Sequence, residues 1–380
     1  MIGATVLRAL VLTAAVAVAL APVPCLAQTG TEKSGEKSTE KKVPKLPAKA
    51  TKELPAEMLA LFRQRKMAKT SPILMRIFKE ESELEVWKQD VTGRFQLLKT
   101  YPICRWSGDL GPKFQEGDRQ APEGFYTVTP KLMNPHSSFY LSINTGYPNS
   151  FDKANDRDGS LLMIHGDCWS SGCFAMTDEQ IAEIYGLARD ALAGRPSFQV
   201  QAYPFRMTAA NLARHRNSPH LAFWQMLKVG NDHFETTRVE PKVDVCDRRY
   251  VFDAQAKSGK PPAFKPTDPC PDFVVNPKVA QAALEKQRAD EREYARLVAA
   301  NVPAAPVYSA LDGSMHEVFR PQLSGRIMLS RMTPLFDMPN LPPIPFAGKN
   351  GSMMSELFGT SIVPSSGGRA SWHPVGWAGP

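Results

Sequence analysis

A histidine and two cysteines lie close together in the stretch LLMIHGDCWSSGCFAMTDEQI: His165, Cys168 and Cys173. A thiol beside an imidazole can act as a nucleophile, because the imidazole takes the proton of the thiol. We therefore consider Cys173 as a candidate nucleophile and His165 as its candidate base.

Three other interpretations of these residues stay open from their spacing alone. A zinc site would use H-x2-C-x4-C, but the stretch lacks a clear fourth ligand and the paired spacing typical of zinc sites. A local disulfide between Cys168 and Cys173 is disfavoured, because a tight turn seldom gives the Cα separation that a disulfide needs. The histidine and cysteines would serve packing alone if all three were buried and inert. We predict no metal ligand here.

A buried strand and a helix are predicted on either side of these residues. The apolar run LLMIHG predicts a strand that ends near His165. Thr177, followed three positions later by Gln180, forms a capping box that begins a helix. Gly194 and Pro196 end that helix.

The predicted helix start has consequences for the thiol. The positive end of a helix dipole stabilises a nearby anion, so we expect a lowered pKa for Cys173. Gly172 allows close approach of the backbone, so the N–H groups of Gly172 and Cys173 are the candidate donors to the oxyanion of a tetrahedral intermediate.

Two stretches resemble the L,D-transpeptidase catalytic domain, the YkuD-type family, and within it the YafK-like murein transpeptidase branch. IHG followed by SSGCFAM is similar to the H-G and S-x-G-C signature, and APEGFYTV is similar to the strand that precedes it. The resemblance covers about residues 70–250. It implies that Cys173 is the nucleophile, that His165 is the base, and that the carbonyl of Gly166 orients the imidazole.

The resemblance also implies a fold class, namely α+β and predominantly β, with a β-sandwich-like catalytic domain and a strand–cysteine loop–helix unit. Short β-rich runs separated by Gly and Asp agree with it. Two departures from the family pattern bear on specificity. Residues 166–172 are a shorter insertion than in many members, and Ser171 replaces a histidine that many members carry.

The implied chemistry is acyl transfer on peptidoglycan stem peptides through a Cys173 thioester, without a cofactor. An amine acceptor makes such an enzyme a transpeptidase, whereas water makes it an L,D-hydrolase that releases a wall-attached protein. A catalytically inactive wall-binding scaffold is a further alternative. The expected partners are stem peptides and an outer-membrane protein or lipoprotein as acyl acceptor or substrate. The net charge of +8 suits an anionic polymer, but no basic stripe interleaved with aromatics points to nucleic acid.

Composition divides the chain into six segments. The first has the charged start, apolar run and small residue of a signal peptide, which predicts an exported, periplasmic protein. Lysine-rich and Pro/Gly-rich segments near the two ends are predicted to be disordered. The segments are a signal peptide (1–27), a disordered linker (28–55), the catalytic domain (56–210), an extension packed on it (211–275), a charged, solvent-exposed or partner-binding helix (276–300), and a low-complexity tail (301–380).

Other residues are candidates for substrate binding or for a disulfide. Arg119, Tyr147 and Trp169 lie in segments that could line a substrate groove, and each is equally interpretable as structural. Cys246 and Cys270 bracket a polar loop, and closing it would contribute about 3 kcal/mol, so we predict that they are bonded. The sequence leaves Cys104 and Cys168 unassigned.

Overall fold

The computed structural model describes residues 46–257, 263–306 and 313–320. The predicted signal peptide, most of the predicted linker and most of the predicted tail lie outside these ranges. The helices are α1 (Ala48–Thr51), α2 (Ala56–Gln64), α3 (Ser150–Ala154), α4 (Asp178–Leu192), α5 (Ala209–Arg214), α6 (Leu221–Thr237) and α7 (Pro277–Ala299). The strands are β1 (Ile73–Phe78), β2 (Glu83–Gln89), β3 (Phe95–Pro102), β4 (Arg105–Trp106), β5 (Gly124–Val128), β6 (Met133–Asn134), β7 (Ser142–Asn144), β8 (Met163–His165), β9 (Phe174–Ala175), β10 (Phe198–Tyr203), β11 (Val243–Cys246), β12 (Arg249–Phe252), β13 (Ala254–Ala256) and β14 (Phe273–Val275).

The first of two five-stranded sheets has the order β3-β2-β1-β10-β5. Its central strand β1 is buried on both faces. Ile73 and Ile77 enter the main hydrophobic core, whereas Leu74 packs on the other side with Phe234 of α6. Burial on both faces explains why, apart from Arg76, the residues of this strand are all apolar instead of alternating with polar ones.

The second sheet has the order β4-β9-β8-β7-β6 and carries the candidate site. Strands β8 and β9 are parallel, and β8 is antiparallel to β7. Apolar side chains of both sheets and of α4 form one core, to which the second sheet contributes Ile143, Ile164 and Phe174. This architecture confirms the predicted mixed, mainly β fold class of the β-sandwich type.

Helix α4 begins where the sequence predicts. The hydroxyl of Thr177 accepts a hydrogen bond from the backbone N–H of Gln180, and the side chain of Gln180 accepts one from the N–H of Thr177. On the far side of α4, Arg189 donates to the backbone carbonyl of Ala50 in α1 at 3.0 Å, and Leu54 is buried. Residues 46–55 therefore pack on the domain, so the prediction of a disordered linker up to residue 55 is wrong for these residues.

The segment after β10 covers the first sheet. Trp224 and Leu227 of α6 are buried in a second cluster with Phe205 and Tyr250. Beyond α6, Cys246 at the end of β11 is bonded to Cys270, the pair expected from the sequence. In the described ranges, no helix combines the length and the apolar character needed to cross a bilayer.

Helix α7, predicted to be solvent-exposed or partner-binding, lies with one side against α5 and α6, and its other residues apart from Ala283 are exposed or half-buried. Its apolar edge is thin, with Tyr294 packed against the second cluster, and charged residues add to the contact. Asp290 accepts hydrogen bonds from Lys228 of α6 and from Lys286, and Ala283 is buried. From the sequence alone, charged residues that pair across a helix interface cannot be distinguished from charged residues on a solvent-exposed face.

Residues 313–320, within the predicted low-complexity tail, add to the edge of the second sheet. Ser314 and Trp106 of β4 exchange two backbone hydrogen bonds of 2.9 and 3.0 Å, and Phe319 is buried. Ala305 also bonds the carbonyl of Arg214 at 2.7 Å. The prediction of a tail that does not pack is therefore wrong for the described residues beyond 300.

Candidate active site

Parallel pairing of β8 and β9 brings His165 and Cys173 to one face of the second sheet. Ile164 pairs with Phe174, and both side chains point into the core. Because side chains alternate along a strand, the residues on either side of this pair face the opposite way. Cys173 lies next to Met163, whose N–H donates to Sγ at 3.4 Å. His165 is two positions further along the same strand, on the same face.

The imidazole of His165 is held in one orientation. Nδ1 lies 2.6 Å from the backbone oxygen of Gly166 and donates to it, which leaves Nε2 with the lone pair that a base needs. The ring of Phe139 lies over the imidazole with 4.7 Å between ring centroids. Burial lowers the pKa of His165, so the ring is neutral near pH 7.

Cys173 is the free cysteine of the described residues, and its side chain is half-buried. Its Sγ lies 3.6 Å from the backbone oxygen of Leu161. Burial raises the pKa of the thiol above its ordinary value, although the bond from Met163 and the charge of Lys113 act in the opposite direction. The expected lowering of this pKa is therefore wrong. The physical reason is that burial disfavours the charged thiolate more than this hydrogen bond and this charge favour it.

A hydroxyl group engages each of the two amides expected to hold an oxyanion. The N–H of Gly172 donates to Oγ of Ser107, and the N–H of Cys173 donates to Oγ of Ser170 at 3.1 Å. Ser170 in turn donates to the carbonyl of Cys173 at 2.7 Å. Either amide must leave its serine before it can bind an oxyanion. Sequence reasoning missed both serines, because their only signal is their places in RWSG and SSGC.

A disulfide that the sequence left unassigned joins Cys104, just before β4, to Cys168. Cys168 is therefore available neither as a zinc ligand nor for a local bond to Cys173. The loop is held at other points as well, because the N–H of Cys168 donates to the carbonyl of Met176 and that of Asp167 to the carboxylate of Asp178. Asp167 and Cys168 are both in the left-handed region, with φ of 71° and 45°.

A cleft of about 320 Å³ with a mixed lining lies near the thiol, although neither Cys173 nor His165 is part of the lining. Leu161, whose carbonyl lies near Sγ, is part of its wall. The cationic side chains of Lys113 and Arg119 and the anionic side chain of Glu116 line the same cleft. The full lining is Lys113, Glu116, Gly117, Arg119, Ser160, Leu161, Leu162 and Ser171.

The three candidate substrate-binding residues have different positions. Arg119 is exposed and lines the cleft. Tyr147 is buried, and its hydroxyl donates to the carbonyl of Asp158 at 3.1 Å, so it supports the wall from behind. Trp169 is outside the lining and is 58% exposed, next to Arg105. The sequence pointed to a lysine near Arg119 without identifying it, and the structure places Lys113 in the lining beside Arg119.

A free thiol beside an oriented, neutral histidine at the side of a cleft is the arrangement of an enzyme with a cysteine nucleophile. Comparison with known proteins narrows this class. Residues 75–200 match the family described as the L,D-transpeptidase catalytic domain, YkuD. The chain is 49% identical over 182 residues to the Escherichia coli K12 protein named "Putative L,D-transpeptidase YafK", a match that covers 48% of this chain and 74% of that protein.

Two solved structures show weaker similarity. A point mutant of the helical cell shape determining protein Pgp2 of Campylobacter jejuni matches at 19% identity and a TM-score of 0.30, over 43% of this chain and 58% of that one. Bd1075 of Bdellovibrio bacteriovorus matches at 23% identity and a TM-score of 0.25, over 36% of this chain and 48% of that one. Similarity this low adds nothing about function. The family match and the E. coli relative establish that the chain belongs to the L,D-transpeptidase (YkuD) family.

Proposed function

We propose that this protein is a cysteine acyltransferase that modifies peptidoglycan stem peptides through a thioester on Cys173. The observation that carries the proposal is that a free thiol lies on the same face of the sheet as a histidine two register positions away, whose Nδ1 is already committed to the oxygen of Gly166. Family membership supports the same chemistry, because the family acts on stem peptides. A scaffold that had lost catalysis would have no need for this arrangement.

The acylation step follows from the two neutral side chains. Sγ attacks the carbonyl carbon of the scissile amide while its proton passes to Nε2 of His165, so that an S–C bond forms and an imidazolium results. Collapse of the tetrahedral intermediate breaks the C–N bond, and the imidazolium gives its proton to the leaving amine. Because thiol and imidazole are both neutral at rest, the proton transfer accompanies the attack instead of preceding it.

The charges of the cleft suit the end of a stem peptide that carries both an amine and a carboxylate. The guanidinium of Arg119 binds carboxylates in a fixed geometry. The ammonium of Lys113 is buried and already donates to Asp118 and to the carbonyl of Gln115, so its charge is offset and Arg119 supplies the positive charge that a carboxylate would meet. Glu116 supplies the opposite charge for an ammonium group. We therefore place the diaminopimelate residue of the stem in this cleft.

The acceptor of the acyl group is an amine or water. The polar lining, with Ser160 and the three charged side chains, favours access of water and makes an L,D-hydrolase a real alternative to a transpeptidase. On the hydrolase route, a wall-attached outer-membrane protein or lipoprotein would be the substrate. On the transpeptidase route, it would be the acyl acceptor.

We also propose that the protein is exported to the periplasm. The N-terminal signal-peptide pattern is the primary support. The two disulfides are a second support, because such bonds persist in oxidising compartments and are rare in the cytosol.

Mass spectrometry of muropeptides incubated with the protein tests the function. Wild-type protein should convert stem peptides, and Cys173→Ala should convert none. In water enriched in ¹⁸O, a hydrolase leaves the label in the product carboxylate, whereas a transpeptidase given an amine acceptor forms an unlabelled amide. Turnover that persists in Cys173→Ala, or no turnover of any stem peptide by the wild-type protein, would contradict the proposal.

A further inference from the structure

Ser142 lies directly across the sheet from His165. In the antiparallel pair of β7 and β8, Ser142 is in register with His165 and Ile143 with Ile164. Both isoleucines are in the core, so Ser142 and His165 share the opposite face, which is that of Cys173. Residues opposed in this way have Cβ atoms about 4.5–5.5 Å apart. The hydroxyl therefore belongs to the immediate surroundings of the imidazole.

The hydroxyl of Ser142 is buried and makes no hydrogen bond to the described residues. The residue is 0% exposed, and its Oγ has no hydrogen-bond partner within the described ranges. A buried hydroxyl without a partner destabilises a fold, whereas alanine at the same place would leave no polar group unsatisfied. The stability of the resting fold therefore does not explain why residue 142 is a serine.

The chemistry at His165 changes during the reaction in a way that gives the hydroxyl a partner. The resting imidazole is neutral, with Nδ1–H bonded to Gly166. After the thiol proton moves to Nε2, the ring carries a positive charge while it is only 2% exposed. A buried cation needs nearby lone pairs or dipoles to be tolerated. The lone pairs of a hydroxyl that has no other partner can turn towards it.

We propose that Ser142 is a positioning residue for His165, whose hydroxyl oxygen turns towards the imidazolium that forms during acylation and stabilises it. The inference rests on the proposed function for its catalytic consequence. The predicted effect of Ser142 on the titration of His165 is independent of the proposed function, because that titration needs no substrate.

Few charged or titratable groups surround this ring. Asp167 follows β8 and is attractive to the imidazolium, and Asp178 of α4 binds the N–H of Asp167. Cys173 is the proton donor, and Lys113 lies beyond it at the cleft. Because Asp167 is exposed, water screens its charge, whereas the dipole of Ser142 is buried and is not screened in this way.

Ser142→Ala separates this role from a structural one. We expect the NMR titration of the His165 ring to show a pKa lower by roughly one unit, because one stabiliser of the charged form is lost. In the muropeptide assay, kcat should fall about tenfold with KM unchanged. The melting temperature should rise, because a buried hydroxyl without a hydrogen-bond partner has been removed.

Thr236→Val is the matched control. It removes a half-buried hydroxyl that is satisfied, since Oγ1 of Thr236 donates to the carbonyl of Asp232 at 2.8 Å on α6. It should lower the melting temperature slightly and leave the titration of His165 unchanged. If His165 titrates alike in wild type and Ser142→Ala, the inference is wrong, whatever the activity. If the titration shifts while the wild-type protein turns over no muropeptide, the inference stands and the proposed function fails.

Discussion

Cys104 is bonded to Cys168, and this bond fastens the loop that leads to Cys173 to the edge of the second sheet. The loop is otherwise held by backbone contacts to Met176 and by the carboxylate of Asp178. The nucleophile is therefore held by a covalent attachment that spans 64 positions of sequence. The position of the thiol depends on a residue outside the signature motif.

Loss of this disulfide should reduce both stability and activity. In Cys104→Ser/Cys168→Ser, the unfolded chain regains loop entropy worth about 4 kcal/mol for a loop of this length. The loop before Cys173 also becomes free to move. Thermal unfolding and muropeptide turnover per folded molecule are the measurements.

The second disulfide is the control for that experiment. Cys246→Ser/Cys270→Ser opens a shorter loop, worth about 3 kcal/mol, in a part of the chain that is separate from the cleft lining. It should lower the melting temperature and leave turnover per folded molecule unchanged. Equal loss of activity in both double variants would show that the first bond has no special role in the site.

The pH dependence of kcat/KM should reflect His165. The neutral imidazole accepts the thiol proton, so activity is lost as pH falls through the pKa of this residue. Burial lowers that pKa from 6.5, which places the acid limb of the profile below pH 6.5. In Phe139→Ala the ring that covers the imidazole is lost, water reaches His165, and the acid limb should move to higher pH. An unmoved limb would mean that Phe139 does not control the solvation of His165.

Arg119 should determine substrate affinity rather than the rate of the chemical step. Arg119→Ala removes a carboxylate-binding group, and we expect KM to rise roughly tenfold or more with kcat nearly unchanged. Arg94 is an exposed arginine in the turn between β2 and β3, and Arg94→Ala should leave both constants as they are. A fall in kcat alone in Arg119→Ala would point to a role in the reaction itself.

The segment around Ser314 should contribute to stability. A chain that ends at Arg320 keeps the two backbone bonds to Trp106 and the buried ring of Phe319, whereas a chain that ends at Pro306 loses them. The shorter chain should melt several degrees lower, since the edge of the second sheet is uncovered. Equal melting temperatures would show that residues 307–320 add nothing to the folded state.

Short sequence patterns predicted those elements of the fold that depend mainly on residues close together in the sequence. The capping box at Thr177 determined the start of α4, and the apolar run before His165 predicted β8. The packing of α7 and the contacts of Ser314 depend on partners distant in sequence, and no local pattern reports them. The pKa of Cys173 was predicted in the wrong direction for the same reason, because its burial depends on neighbouring segments that no local pattern reveals.

The specific activity of a preparation should also depend on whether the disulfide between Cys104 and Cys168 has formed in it. Folding of the chain alone does not complete the site, because the covalent attachment of the loop before Cys173 forms only when an oxidant has closed that bond. Two preparations, one from a reducing host and one from an oxidising host, can thus have the same concentration and purity. Their specific activities would still differ. Counting free thiols before each assay, with one expected per correctly matured domain over the described residues, tells the two preparations apart.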